Sequence, residues 1–90
     1  MQTKKLTQYG LVRIIRLLHP AEHYDGWGFN RRPPAIGDLG TIVDILDIPG
    51  LPIDYIVESS AADGITIWLG DFAAAELEPI DDADYVQQYP

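Results

Sequence analysis

His19 and His23 are the first residues of the sequence that match the pattern of a catalytic metal site. With Glu22 they form His-Pro-Ala-Glu-His, the H-x-x-E-H spacing in which two histidines bind zinc and the glutamate acts as general base. That chemistry needs both histidines on one helical face, but Pro20 follows the first histidine and a Gly- and Pro-rich loop begins at once. The sequence therefore favours two loop histidines over a metal site, and a metal-dependent hydrolase through His19, Glu22 and His23 is the weaker alternative.

Two further catalytic patterns are incomplete. Gly26-Trp27-Gly28 starts like a dinucleotide-binding fingerprint, but Arg31 stands where the third glycine belongs. Ser59-Ser60 lacks the glycines of a nucleophile elbow. We therefore predict that the protein is not an enzyme and uses no cofactor.

The distribution of charge narrows the class of partner. The 90 residues carry a net charge of −8, all six basic residues lie within the first 32 positions, and 12 of the 14 acidic residues lie from Asp38 onward. Because lysine and arginine neutralise phosphates, we predict no nucleic-acid partner and favour a protein partner, of basic character if the acidic residues contribute. No apolar run approaches the ~18 residues of a membrane span and there is no cysteine, so we expect a soluble, cytoplasmic protein of bacterial type.

The elements that would position a binding surface are mostly strands. The apolar run from residue 11 fits either a helix or a strand until Pro20 ends it, and residues 21–39 read as one long loop. Gly70–Ala75 reads as a short helical turn that Asp71 could cap, and Pro79 marks the last strand as an edge. The β-branched runs predict strands at residues 41–46, 55–59 and 65–69, with an Asp-Gly turn at 63–64 and a brief final strand at 76–80.

Three stretches of the sequence resemble known proteins. Gly37-Asp-Leu-Gly-Thr-Ile-Val43, Tyr55-Ile-Val-Glu58 and Trp68-Leu-Gly-Asp-Phe72 resemble small bacterial SH3-like proteins of unknown function, and the first is also similar to a KOW-type motif. The resemblance implies a mainly β fold: a small five-stranded SH3-like barrel with a long loop after strand 1 and one short helical turn before the last strand. The barrel would span residues 10–80, between a flexible N-terminus (1–9) and an acidic C-terminal tail (81–90). The RNA contacts of KOW-type modules are not expected, since no basic residue follows Arg32.

The aromatic residues supply the candidate binding surface. The long loop either packs Trp27 or Phe29 over an open end of the barrel, which we favour, or presents them to a partner. We expect Ile65, Ile67 and Leu69 to face the core, which would turn Trp68 outward. The predicted function is a non-catalytic protein-binding module; the alternatives are an immunity protein that caps a basic toxin, or a structural accessory domain of a larger complex. The candidate partner-binding residues are Tyr24, Trp27, Phe29, Asp44, Asp47, Tyr55, Glu58 and Trp68.

Overall fold

The computed structural model describes residues 5–81 and contains one sheet of five antiparallel strands in the order β4-β3-β2-β1-β5. This confirms the prediction of a small, mainly β protein with five strands, and β5 lies at an edge as Pro79 predicted. Single turns of 3-10 helix precede β2 and β5. The elements are β1 (Leu11–Ile14), a first 3-10 turn (Ala21–Tyr24), β2 (Leu39–Leu46), β3 (Asp54–Ser60), β4 (Thr66–Phe72), a second 3-10 turn (Ala74–Glu76) and β5 (Leu77–Pro79).

The ends of the chain were expected to be flexible or loose. Residues 1–4 and most of the acidic tail, 82–90, lie outside the described residues. Residues 8 and 9 hydrogen-bond to β2: the Tyr9 N–H donates to the Ile42 carbonyl at 2.6 Å and the Gln8 side-chain amide to the Val43 carbonyl at 3.2 Å. Within residues 5–81, no helix has the length and apolar character needed to cross a membrane.

Strand β4 differs from its prediction in length and in the face that it buries. It continues to Phe72, so Asp71 lies in the strand and does not cap the helical turn, which begins only at Ala74. Trp68 and Phe72 are buried, whereas Ile65 is 47% exposed, so the prediction that Trp68 faces outward is wrong. The two large aromatic rings bury more apolar area than the aliphatic side chains, and their face therefore packs inward.

The core lies on one face of the sheet. Alternate residues of the strands point into it, as the period of two in a strand requires. The Trp68 and Phe72 rings lie 5.5 Å apart at its centre, in a tilted arrangement. The buried residues of this cluster are Val12, Ile14, Tyr24, Ile42, Val57, Trp68, Phe72 and Leu77.

The long segment between β1 and β2 is held against β4. The Leu69 N–H donates to the Asn30 side-chain oxygen at 2.9 Å, and the Arg31 N–H donates to the Ile67 carbonyl at 2.8 Å. Pro34 is buried further along the same segment. Loops of this length in a compact domain are ordered by their own packing or serve a function. Here the contacts with β4 fix the position of the loop backbone that carries Trp27 and Phe29.

Candidate functional site

The residues around Trp27 form an open cavity of about 550 Å³, which we call the Trp27 cleft. Its volume lies within the range of small-ligand sites. The inner surface comes from three buried residues, Tyr24, Phe72 and Glu76, together with half-buried Ala73, and Gly26 contributes exposed backbone. The exposed residues that line it are His19, His23, Trp27, Asp54 and Asp71.

The inner surface of the cleft is fixed by a buried carboxylate. Glu76 is 1% exposed, and one of its oxygens accepts hydrogen bonds from the Tyr24 hydroxyl and from the Leu18 N–H at 3.0 Å. The other oxygen accepts the Ala73 N–H at 2.9 Å. A buried carboxylate is tolerated only when its oxygens are hydrogen-bonded in this way. Glu76 therefore ties together the segment after β1, the first 3-10 turn and the start of the second 3-10 turn.

Tyr24 is held on both its ring and its hydroxyl. The ring stacks on Phe72 with centroids 4.8 Å apart, and the hydroxyl oxygen accepts the N–H groups of Leu18 and His19 at 3.1 and 3.2 Å. Burial raises the pKa of Tyr24 to about 12, and the hydrogen bond to Glu76 raises it in the same direction. The phenol is therefore neutral at physiological pH and donates to the carboxylate. Tyr24 supports the cleft and, at 4% exposed, offers a partner little surface.

Trp27 and Phe29 are presented by a tight turn that Asp25 organises. One Asp25 side-chain oxygen accepts the N–H groups of Phe29 and Asn30 at 3.1 and 3.2 Å. Gly28 has a φ of 74°, a left-handed conformation that glycine adopts without strain. Trp27 remains 48% exposed and Phe29 52% exposed, so the favoured prediction that one of them covers the core is wrong. The flanking glycines turn the indole outward, toward the cleft and solvent.

Asp54 and Asp71 form the acidic side of the cleft. They belong to neighbouring strands, where Tyr55 pairs with Phe72 and Ile56 with Asp71. Partial burial of its carboxyl raises the pKa of Asp71, and the charge of Asp54 raises it further. Within residues 5–81 neither carboxylate has an ion-pair partner or an acceptor hydrogen bond. The two negative charges therefore repel each other beside an exposed aromatic ring.

Trp68 belongs to a separate, inward-facing cluster. The indole N–H donates to Asp38 at 2.8 Å, and Arg32 makes two hydrogen bonds to the same carboxylate at 2.7 and 3.2 Å. Burial would raise the pKa of Asp38, but the hydrogen bonds from Arg32, the Ala35 N–H and Trp68 outweigh it and lower that pKa. Because Trp68 is 0% exposed, it has no surface for a partner. The loop provides the cover that the indole requires.

The remaining predicted residues do not line the Trp27 cleft. Asp44 and Asp47 are exposed on β2 and the turn after it, and Tyr55 is half-buried against the core. Glu58 accepts a hydrogen bond from the Thr66 hydroxyl across the β3–β4 pair. Of the eight predicted residues, the structure brings Tyr24 and Trp27 together in the cleft.

Sequence reasoning missed Asp54, Asp71 and Glu76. The two aspartates meet only through the pairing of β3 with β4, a register that the sequence does not give directly. Glu76 could have been found as a single charge between three alanines and Leu77, a pattern typical of a buried, paired carboxylate.

In the structure, the glutamate of the H-x-x-E-H pattern lines a different cavity from its two histidines. His19 and His23 line the Trp27 cleft, whereas Glu22 lines a second cavity of about 180 Å³ beside Arg31 and Pro33. Among residues 5–81, no three His, Cys, Asp or Glu side chains are grouped closely enough to hold a metal ion. The arrangement that zinc hydrolysis requires is therefore missing from this part of the chain.

Comparison with known proteins identifies no relative of this chain. No family model, no curated protein and no solved structure matches the chain.

Proposed function

We propose that this protein is a non-catalytic binding module that recognises another protein through the Trp27 cleft. The observation that carries the proposal is a half-exposed Trp27 ring in one cavity with Asp54 and Asp71, two carboxylates that have no ion-pair partner among residues 5–81. Exposed tryptophan is rare on a free surface and is enriched at the centres of protein interfaces. A fixed inner surface means that little ordering is needed when a partner binds.

The acidic character of the described surface favours a basic partner. Between Pro33 and Asp81 the chain has no lysine or arginine, so the strands that supply Asp54 and Asp71 contribute a field of negative sign. Such a field speeds association with a basic surface and weakens as salt is added. An immunity protein that caps a basic toxin is one specific form of this function.

We further infer that the fold is SH3-like. The strand order, the β2–β3–β4 meander and the single 3-10 turn before β5 support this assignment, because they match the element order expected of that architecture. Because SH3-like modules have many unrelated functions, this assignment concerns the fold alone, and the proposed function rests on the Trp27 cleft.

The test is affinity capture from native lysate with three versions of the folded protein. Wild type is compared with Trp27→Ala and with Leu51→Ala, a matched control that truncates an even more exposed apolar residue outside the cleft. We expect a partner that Leu51→Ala retains, that Trp27→Ala loses, and whose capture falls at high salt. Capture that Trp27→Ala leaves unchanged would refute the proposed site.

A structural accessory domain is the second candidate, and one observation favours it. The β2–β3 hairpin exposes four apolar side chains, Leu46, Ile48, Leu51 and Ile53, between 36% and 60%. Exposed apolar patches mark contact with a larger assembly, and these four side chains belong to one hairpin. In that case Leu51→Ala, and not Trp27→Ala, would reduce capture or reduce self-association of the isolated protein.

A further inference from the structure

The geometry points to an arginine side chain of the partner as the group that the Trp27 cleft receives. This inference rests on the proposed function, and it adds the chemical identity of the ligand. It follows from three properties of the cleft: the aromatic face, the two neighbouring carboxylates, and the absence of any lysine or arginine among residues 5–81 that pairs with them.

The aromatic face is the first property. Trp27 is half-exposed and lines the cavity, and Asp25 holds the turn that follows it, so the backbone that carries the indole is ordered before any partner binds. A cation placed over an indole face is attracted by the ring quadrupole, and tryptophan is the strongest of the aromatic residues in this respect. A planar guanidinium can also stack on the ring, which an ammonium cannot do.

The two carboxylates are the second property. Asp54 and Asp71 project from adjacent strands into one cavity, and their charges raise the free energy of the empty cleft. The repulsion is reflected in the raised pKa of Asp71, for which burial and then Asp54 are the causes. A guanidinium has five N–H donors in a fixed plane and can bond two carboxylates at once, whereas an ammonium is a compact point charge.

The third property is that, in the part of the chain that the structure describes, no lysine or arginine pairs with these carboxylates. Among the described residues, the ion pairs are Arg13 with Glu78 and Arg32 with Asp38, and both lie away from the cleft. Thus no lysine or arginine within residues 5–81 neutralises Asp54 or Asp71. The imidazoles of His19 and His23 complete the lining and present polar atoms to the same space.

The experiment is an NMR titration of the full chain with short blocked peptides. The probes are acetyl-Gly-Arg-Gly-amide, the same peptide with lysine, and the same peptide with citrulline, the neutral isostere of arginine. The chain has two tryptophans, so the indole N–H signal of Trp27 reports the cleft while that of Trp68, bonded to Asp38, is an internal control. We expect the arginine peptide to shift only the Trp27 signal, with a dissociation constant of about 1–10 mM.

Matched variants identify the contacts. Asp54→Asn and Asp71→Asn should each raise the dissociation constant of the arginine peptide about three- to fivefold. Asp44 is an exposed carboxylate outside the cleft, so Asp44→Asn should leave that constant unchanged. Citrulline should bind about tenfold more weakly than arginine. Equal binding of citrulline, equal binding of lysine, no shift of Trp27, or equal weakening by Asp44→Asn would each overturn the inference.

The two proposals fail in different ways. If the arginine peptide does not bind but Trp27→Ala still abolishes capture of a partner, the cleft is a binding site for another group and only the arginine assignment is wrong. If the peptide binds and capture does not depend on Trp27, the cleft recognises arginine but is not the interface that recruits the partner. If both fail, the Trp27 cleft is not a binding site and the function proposed for it is refuted.

Discussion

Trp27 and Trp68 should differ sharply in what they contribute to stability. Trp68 is 0% exposed, packs against Phe72 and donates to Asp38, so Trp68→Ala should lower the free energy of unfolding by about 3–5 kcal/mol. Trp27 is 48% exposed and leaves an open cleft when truncated, so Trp27→Ala should cost about 1 kcal/mol. A domain of 90 residues has a total stability on the order of 5–13 kcal/mol. Trp68→Ala therefore removes a large share of it.

Trp68→Phe provides a milder test if the alanine variant does not fold. Phenylalanine keeps an aromatic ring in the core but removes the indole N–H, which leaves Asp38 with Arg32 and the Ala35 N–H as donors. The expected loss is about 1–3 kcal/mol, from the lost hydrogen bond and the smaller ring.

Urea unfolding followed by tryptophan fluorescence suits these variants, because each leaves one indole as the reporter. Far-ultraviolet circular dichroism on the same samples would follow the sheet independently, and coincident transitions would support two-state analysis. If Trp27→Ala cost about 3 kcal/mol or more, as expected of a buried aromatic residue, Trp27 would be a structural cover and the cleft would be part of the core. That result would refute both the stability argument and the proposed binding site.

Three further variants test the packing around the cleft and the sheet. Glu76→Gln replaces one carboxylate oxygen by an amide NH₂ that cannot accept a hydrogen bond, so the free energy of unfolding should fall by about 1–3 kcal/mol in urea. Gly40→Ala should cost a similar ~1–3 kcal/mol by the same assay, because its Cβ would lie 2.8 Å from the Glu58 carbonyl oxygen. The pKa of Tyr24 is raised from 10.0 to about 12, so the stability that its neutral form provides is complete below pH 10 and is lost as the pH rises through 12. Stability measured across that range should fall by up to about 2 kcal/mol in wild type, with a smaller fall in Tyr24→Phe; equal falls would contradict the assignment to Tyr24.

Much of the strand pattern could be predicted from the sequence, since it depends on local composition. β-Branched runs located β2 and β3 to within two residues, and the Asp63-Gly64 turn is present, with the Gly64 N–H bonded to the Ala61 carbonyl at 2.8 Å. These features need only the preferences of neighbouring residues. Long-range packing is not required to find them.

The buried face of β4 could not be predicted by counting aliphatic residues. Ile65, Ile67 and Leu69 satisfy the alternation rule, but the register shifts between Ser59 and Ser60 and the strand extends to Phe72. A β-bulge changes the side of the sheet on which the following residues lie. Only the packing of Trp68 and Phe72 against distant residues decides which face is inside.

The candidate site was only partly predictable for the same reason. Trp27 could be recognised as a candidate residue from the glycines that flank it, although the sequence did not decide whether it is buried or exposed. Asp54 and Asp71 are 17 positions apart in the sequence and meet through strand pairing, so no spacing rule points to them. Glu76 acts through contacts with Leu18 and Tyr24 that lie more than 50 positions away.

The hydrogen bonds that join the long loop to β4 also protect the protein against aggregation. β4 ends the sheet, and an uncovered end strand would present unpaired N–H and C=O groups to strands of other molecules. Asn30 and Arg31 occupy two of these groups, at Leu69 and Ile67. The loop that presents Trp27 thus also blocks edge-to-edge association, so changes that detach it should cause self-association while the sheet is still folded.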